Sequence, residues 1–181
     1  MIEKEILDYH VQALIQLACR SGASAARRIP AERISVQEAL ARLCLDPRCD
    51  QYGLSAGCPP HVSGPAGFRK LQATCAEAIV LKIDVAAEVL FSDERRKVMK
   101  LLHEIVAAVE QAAVHMGYRN SRGFAGGSCK LLFCPEEADC KVVSGGEDCR
   151  YPESARPSMS GFGIDVGKLM RSAGWSGEKA D

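Results

Sequence analysis

Apolar positions recur at helical spacing from the start of the chain. Leu7, Val11, Leu14, Ile15 and Ala18 mark one face of an amphipathic helix over residues 2–19, closed by Ser21 and Gly22. Residues 23–29 read as a short strand stopped by Pro30, and 35–43 as a second short element of either type. Residues 66–76 read as a helix with Phe68, Leu71 and Cys75 on one face. Strict alternation follows over 78–85. Ile79, Leu81, Ile83 and Val85 oppose Lys82 and Asp84, which predicts a strand with one buried face and one partly wet face.

The longest helical pattern covers 93–116. Val98, Leu101, Leu102, Ile105, Val106, Val109, Ala113 and Met116 form its stripe. Ser92 precedes it as a capping residue, with Asp93 and Glu94 in the first turn and Gly117 at the far end. His103 falls off the stripe and reads as solvated, and Lys100 with Glu104 reads as an ordinary i,i+4 pair. Residues 118–124 are read as a returning strand and 165–173 as a last helix. Helix and strand alternate, so the predicted class is α/β or α+β. The chain is read as one domain over 1–181, with helices on a small mixed sheet and two cysteine-rich loops.

Composition narrows the function. The chain has 181 residues, 47% of them apolar, which suffices for a core. Lys+Arg and Asp+Glu both number 23, so there is no basic excess for nucleic acid or a membrane surface. The N-terminal residues lack a secretory signal. The best apolar run, 78–91, is broken by Lys82, Asp84 and Glu88, short of the ~20 residues of a span. A cytoplasmic protein is expected.

Nine cysteines stand out. A reducing compartment disfavours a disulfide framework, and nine is odd, so metal ligation or redox chemistry is indicated. Cys19 and Cys75 continue helical stripes and are expected in the core. The other seven fall in two loops rich in Gly and Pro. Cys44, Cys49 and Cys58 form C-x4-C-x8-C, followed by Pro59, Pro60 and His61. Cys129, Cys134, Cys140 and Cys149 form C-x4-C-x5-C-x8-C. On a helix, residues five apart diverge by about 140°, whereas a loop can turn its sulfurs onto one centre.

Clustered thiolates suit a [4Fe–4S] cluster or a structural zinc ion. The wide gaps, and the prolines after Cys58 and Cys134, favour the iron–sulfur cluster over zinc knuckles. Arg150, Arg156 and Lys130 would balance the negative charge of such a centre. Gly126 and Gly127 would bring backbone N–H groups to the sulfurs. The three-sulfur loop is open to three readings. His61 completes a Cys3His set, one iron is left open, or the two loops share a site. With an open iron, Arg156, Ser158 and Ser160 would bind an anionic substrate beside it. No catalytic Ser/His/Asp order, phosphate loop or dinucleotide fingerprint is present.

Taken together, these residues resemble a known family. Cys44, Cys49, Tyr52 and Gly53 with Cys58, Pro59 and Pro60 are similar to its first signature. Gly126, Gly127, Ser128 and Cys129, then Cys149, Arg150 and Pro152, are similar to the second. Ala155, Arg156, Pro157, Ser158 and Met159, ending in Gly163, Ile164, Asp165 and Val166, are similar to the third. The family is a prokaryotic domain of unknown function labelled "predicted metal-binding protein", frequent in anaerobes. The resemblance implies a metal or iron–sulfur cluster held by the seven loop cysteines, and a longer second loop here, with Cys140 inserted. A redox or electron-transfer role with a redox partner protein is the leading expectation. A zinc-stabilised binding module and a cluster-bearing enzyme are the alternatives.

Overall fold

The computed structural model describes residues 2–176. A long helix α1 (Ile2–Arg20) leads into strand β1 (Ala25–Pro30), a 3-10 turn (Ala31–Arg33) and the short helix α2 (Glu38–Arg42). The first cysteine loop follows, then α3 (Gly64–Gln72) and strand β2 (Glu77–Lys82). After α4 (Ala87–Leu90) comes the longest helix, α5 (Glu94–His115). The second cysteine loop carries α6 (Cys129–Phe133) and α7 (Lys141–Ser144). A 3-10 turn (Met159–Phe162) and α8 (Val166–Ser172) close the fold.

The two strands pair antiparallel, with Ala25 opposite Lys82 and Pro30 opposite Glu77. The fold is therefore mixed helix and sheet as expected, but the sheet is an antiparallel ribbon rather than a mixed one. Two strands bury too little alone, so both faces must be covered. On one side Ala26, Leu81 and Ile83 meet Ala18, Ala23, Ile105 and Val109 from α1 and α5. On the other, Ile29 and Val80 meet Phe68, Phe162, Ile164, Leu169, Ala173 and Trp175.

That second face was expected to be wet, yet it holds Val80, the most buried residue of β2. The charged residues on it explain the reading. Lys82 Nζ lies 5.5 Å from the Trp175 ring and the Arg27 guanidinium 6.0 Å, so their charges ride on an aromatic lid. Arg28, on the opposite face, bonds Asp8 of α1 and Glu77 at 2.7 Å, pinning α1 to the ribbon.

Several helix ends follow the sequence. Ser92 Oγ accepts from the Glu94 N–H at 3.2 Å. Gly117 takes φ +100, and the N–H groups of Gly117 and Tyr118 return to Val114 and Ala113. Asp165 caps α8 by accepting from the Lys168 N–H at 2.9 Å. Residues 118–124 form no strand. Only Ala125 makes a lone parallel bridge, to Ser158. Cys19 is exposed, not a core residue. The buried stripe of α1 centres on Val11, Leu14 and Ala18, and Cys19 lies at its flank in the last turn. Cys75 lies beyond the end of α3 and is partly buried.

The largest correction concerns α5. His103 is fully buried rather than solvated. Its Nε2 lies 2.9 Å from the Gly126 carbonyl, and its Nδ1 accepts from the Arg156 N–H at 3.2 Å. Those partners require the neutral tautomer protonated on Nε2. Phe133 packs edge-on against the ring at 5.7 Å. Helix α5 thus has two packing faces. Ile105 and Val109 turn to the ribbon, while Met99, His103 and Glu110 turn to the second loop and its strap, with Gly127, Gly126 and Gly123 against them.

Burial, helped by the nearby Arg156 charge and opposed by the Gly126 bond, lowers the His103 pKa. The unfolded imidazole, titrating near about 6.5, then binds a proton that the folded one refuses. Its contribution to stability is complete above that pH and is lost as pH falls toward the folded pKa. His103→Ala is expected to lower stability by about 2–4 kcal/mol, because two buried backbone groups lose their partner. Urea unfolding at a series of pH values checks both points. The wild type should gain stability between pH 5.5 and 7, roughly across the imidazole titration, and the variant should lose that part of the gain.

Candidate metal centre

A strap of backbone, residues 157–159, ties the first cysteine loop to the segment that precedes the second. The Ser158 N–H donates to the Gly57 carbonyl at 2.9 Å. The Ala125 N–H donates to the Pro157 carbonyl at 3.0 Å, and the Met159 N–H to the Ala125 carbonyl at 2.9 Å. The first cysteine loop is thereby sewn to the segment that leads into the second.

In the first loop Cys58 is buried, Cys44 half-buried and Cys49 exposed. Burial raises the Cys44 thiol pKa, and the neighbouring Cys49 and Cys58 sulfurs add to the shift. His61 is exposed, and its Nε2 faces the Gly53 carbonyl at 3.2 Å.

In the second loop, Cys129 opens α6 and Cys134 ends it. Cys134 leaves helical geometry at φ −130 and ψ 44, which breaks the divergence a continuous helix would impose. Cys129, Cys134, Cys140 and Cys149 consequently line one narrow pocket whose surface is almost wholly apolar. Phe133 and Tyr151 stack at 5.5 Å in its wall, and Lys100 lies over Phe133 at 5.4 Å instead of pairing with Glu104. Burial raises the Cys134 pKa first, with Cys149 and Cys140 adding and Lys130 opposing. The Tyr151 N–H donates to Cys149 Sγ at 3.4 Å, a backbone-to-sulfur bond of the kind expected from Gly126 and Gly127.

The two loops meet at Cys129. Its thiol pKa is raised mainly by burial, and the sulfurs of Cys58 and Cys149 both act on it. A Cβ on Gly57 would stand 3.2 Å from Cys129 Sγ, so glycine lets the first loop approach that closely. Ser55 and Ser128 carry buried hydroxyl oxygens without a hydrogen-bond partner. The Ser55 hydroxyl faces the Cys129 thiol and, with the Gly57 N–H, favours its thiolate. Ser128 precedes Cys129 in the chain. Unpartnered buried hydroxyls beside soft donors suit a thiolate-bound metal group. Among the described residues, no three His, Cys, Asp or Glu side chains are close enough together to grip one ion.

The expected charged and glycine neighbours take definite positions. Arg150 pairs with Glu137 at the pocket rim. Lys130 Nζ donates to the Cys134 carbonyl at 2.8 Å and so holds the end of α6. Arg156 is buried and held through its Nε and Nη1. Its Nε donates to Glu110 at 2.6 Å, and its Nη1 to the carbonyls of Pro152 and Ala155. Ser158 is buried, and its backbone does the sewing. Gly126 supplies its carbonyl to His103. Gly127 has φ +86, and a Cβ there would stand 2.3 Å from Met99 Cε. The sequence reading missed His103, Glu110, Ser55 and Ser128. His103 and Glu110 stand seven apart on α5, with the small Ala107 between, which is a second helical stripe written in polar residues.

The arrangement defines a cysteine-rich domain whose thiols hang in two loops from one two-faced helix. The chain belongs to the family described as "Predicted metal-binding protein (DUF2284)", whose model matches residues 27–181. Neither the curated proteins nor the solved structures gave a match. No described helix is long and apolar enough to cross a membrane.

Burial ranks the thiols of the metal-free protein. Iodoacetamide is expected to modify exposed Cys19, Cys49 and Cys149 first. Cys58 and Cys129 should react about tenfold more slowly or less, since access and thiolate fraction set the rate. Peptide mass spectrometry over a time course checks the order.

Proposed function

We propose that this protein is an iron–sulfur protein, carrying a [4Fe–4S] cluster in an electron-transfer or redox-accessory role. The observation that carries the reading is the meeting of both loops at Cys129. There, the sulfurs of Cys58 and Cys149 act on one half-buried thiol that the Ser55 hydroxyl faces. Drawn together by a bound cluster, Cys44, Cys49 and Cys58 with Cys129 would supply four thiolates without a histidine. Cys134, Cys140 and Cys149 are the remaining donors. An all-sulfur donor set in apolar surroundings suits soft iron–sulfur chemistry.

Bound there, the cluster would supply a one-electron couple. The chain's own groups set the conditions. The Tyr151 N–H at Cys149 and the Ser55 hydroxyl at Cys129 would stabilise sulfur charge and raise the potential. The Cys44 and Cys49 end is exposed, giving a redox partner protein an approach. The balanced charge offers nothing to nucleic acid or membrane.

Iron, zinc and acid-labile sulfide, quantified on protein prepared without air, test the reading. Iron and sulfide in equal amounts are expected, with a visible absorption that bleaches on reduction. Cys129→Ser should lose most of that iron, whereas Cys75→Ser should keep it. Colourless protein with zinc and no sulfide would overturn the cluster and leave a zinc-stabilised module.

A further inference from the structure

Beside the strap, bordered by Arg156 and Pro157, lies an open cleft of about 440 Å³. Ligand sites run from roughly 300 to 1,000 Å³, so it has the volume for a small organic molecule. Phe68, Phe124 and Phe162 form its apolar wall. Their rings meet edge-on or tilted, 4.9 to 6.2 Å apart, with Leu71 beside them.

Opposite this wall stand the charged groups. Arg156 and Glu110 form a buried ion pair at 2.6 Å. Glu110 Oε2 also accepts from the Gly123 N–H at 2.6 Å, so this oxygen already serves two donors. Arg122 also lines the cleft. Its guanidinium touches only the carbonyls of Arg119 and Ser121, and among the described residues it has no acidic partner. Two guanidiniums against one carboxylate leave a single positive charge facing an aromatic wall. None of the loop cysteines lines the cleft.

We propose that this cleft binds a small aromatic carboxylate, its ring against the Phe68, Phe124 and Phe162 wall and its carboxylate on Arg122. The aromatic wall selects a flat apolar body by edge and face contacts. The unpaired guanidinium selects one negative charge, and its planar fork matches a carboxylate. The anion role assigned from sequence to Arg156 passes to Arg122, because the Nε and Nη1 of Arg156 are already held by Glu110 and by two backbone carbonyls. The site stands independently of what the thiols hold, since its lining and theirs are separate.

Titration of the full chain with benzoate tests the proposal, followed by calorimetry and by NMR shifts of the Leu71 and Phe124 side chains. Saturable binding is expected, with benzyl alcohol at least about tenfold weaker. Arg122→Gln, at an exposed position, should weaken benzoate about tenfold and leave the benzyl alcohol affinity unchanged. Leu71→Trp should fill the cleft and remove both. Absence of saturation with the wild type would overturn the site. Equal affinity for benzoate and benzyl alcohol, or an unchanged Arg122→Gln variant, would overturn the assignment of charge recognition. A matching thermal midpoint for Arg122→Gln shows that the loss is local.

Discussion

The neutral His103 imidazole, donating to Gly126 and accepting from Arg156, joins α5 to the segments on either side of the second cysteine loop. Without it, two backbone groups would be buried without partners, and no regular strand or helix stands ready to take them. The glycines that approach α5, the strap that follows Arg156 and the helix that carries Cys129 all take their places from this contact. Phe133, in the same short helix as Cys129, packs on the ring and passes that placement to the sulfur-lined pocket.

The rest of the architecture supports α5 in this task. The two-stranded ribbon is too small to be a scaffold, and it is held by cores on both faces. Helix α5 lies on one of those cores and still presents a second face to the cysteine loops. One element thus belongs to the stable part of the fold and to the site. The loops need little regular structure of their own, because their ends are fixed from outside.

The amphipathic helices, the alternation of β2 and the caps at Ser92 and Gly117 were legible because each depends on neighbours in sequence. The partition of the cysteines into two loops was legible for the same reason. What the sequence hid was every place where a polar residue is buried by a distant partner. His103 looked solvated because its partners, Gly126 and Arg156, lie 23 and 53 positions away. Val80 looked wet because the Trp175 lid is remote in the chain, and Cys19 looked buried because periodicity does not mark where a helix face ends. The engagement of Arg156, and with it the freedom of Arg122, depends on Glu110 from another element. The meeting of the loops at Cys129 is likewise a fact of three dimensions.

The strap also has a kinetic meaning. Arg156, Ser158 and Met159 all donate their N–H groups, to an imidazole and to two carbonyls, while Pro157 has no N–H to offer and gives its carbonyl to Ala125. An irregular stretch of chain therefore has no spare backbone donor. Opening it means releasing α5, the first loop and Ala125 together. In amide exchange, such a segment behaves as part of the slowest, globally opening unit, although by shape it is a loop. Slow breathing in this protein thus extends to a segment with no strand or helix over residues 156–158, beside the thiols that most need a fixed frame.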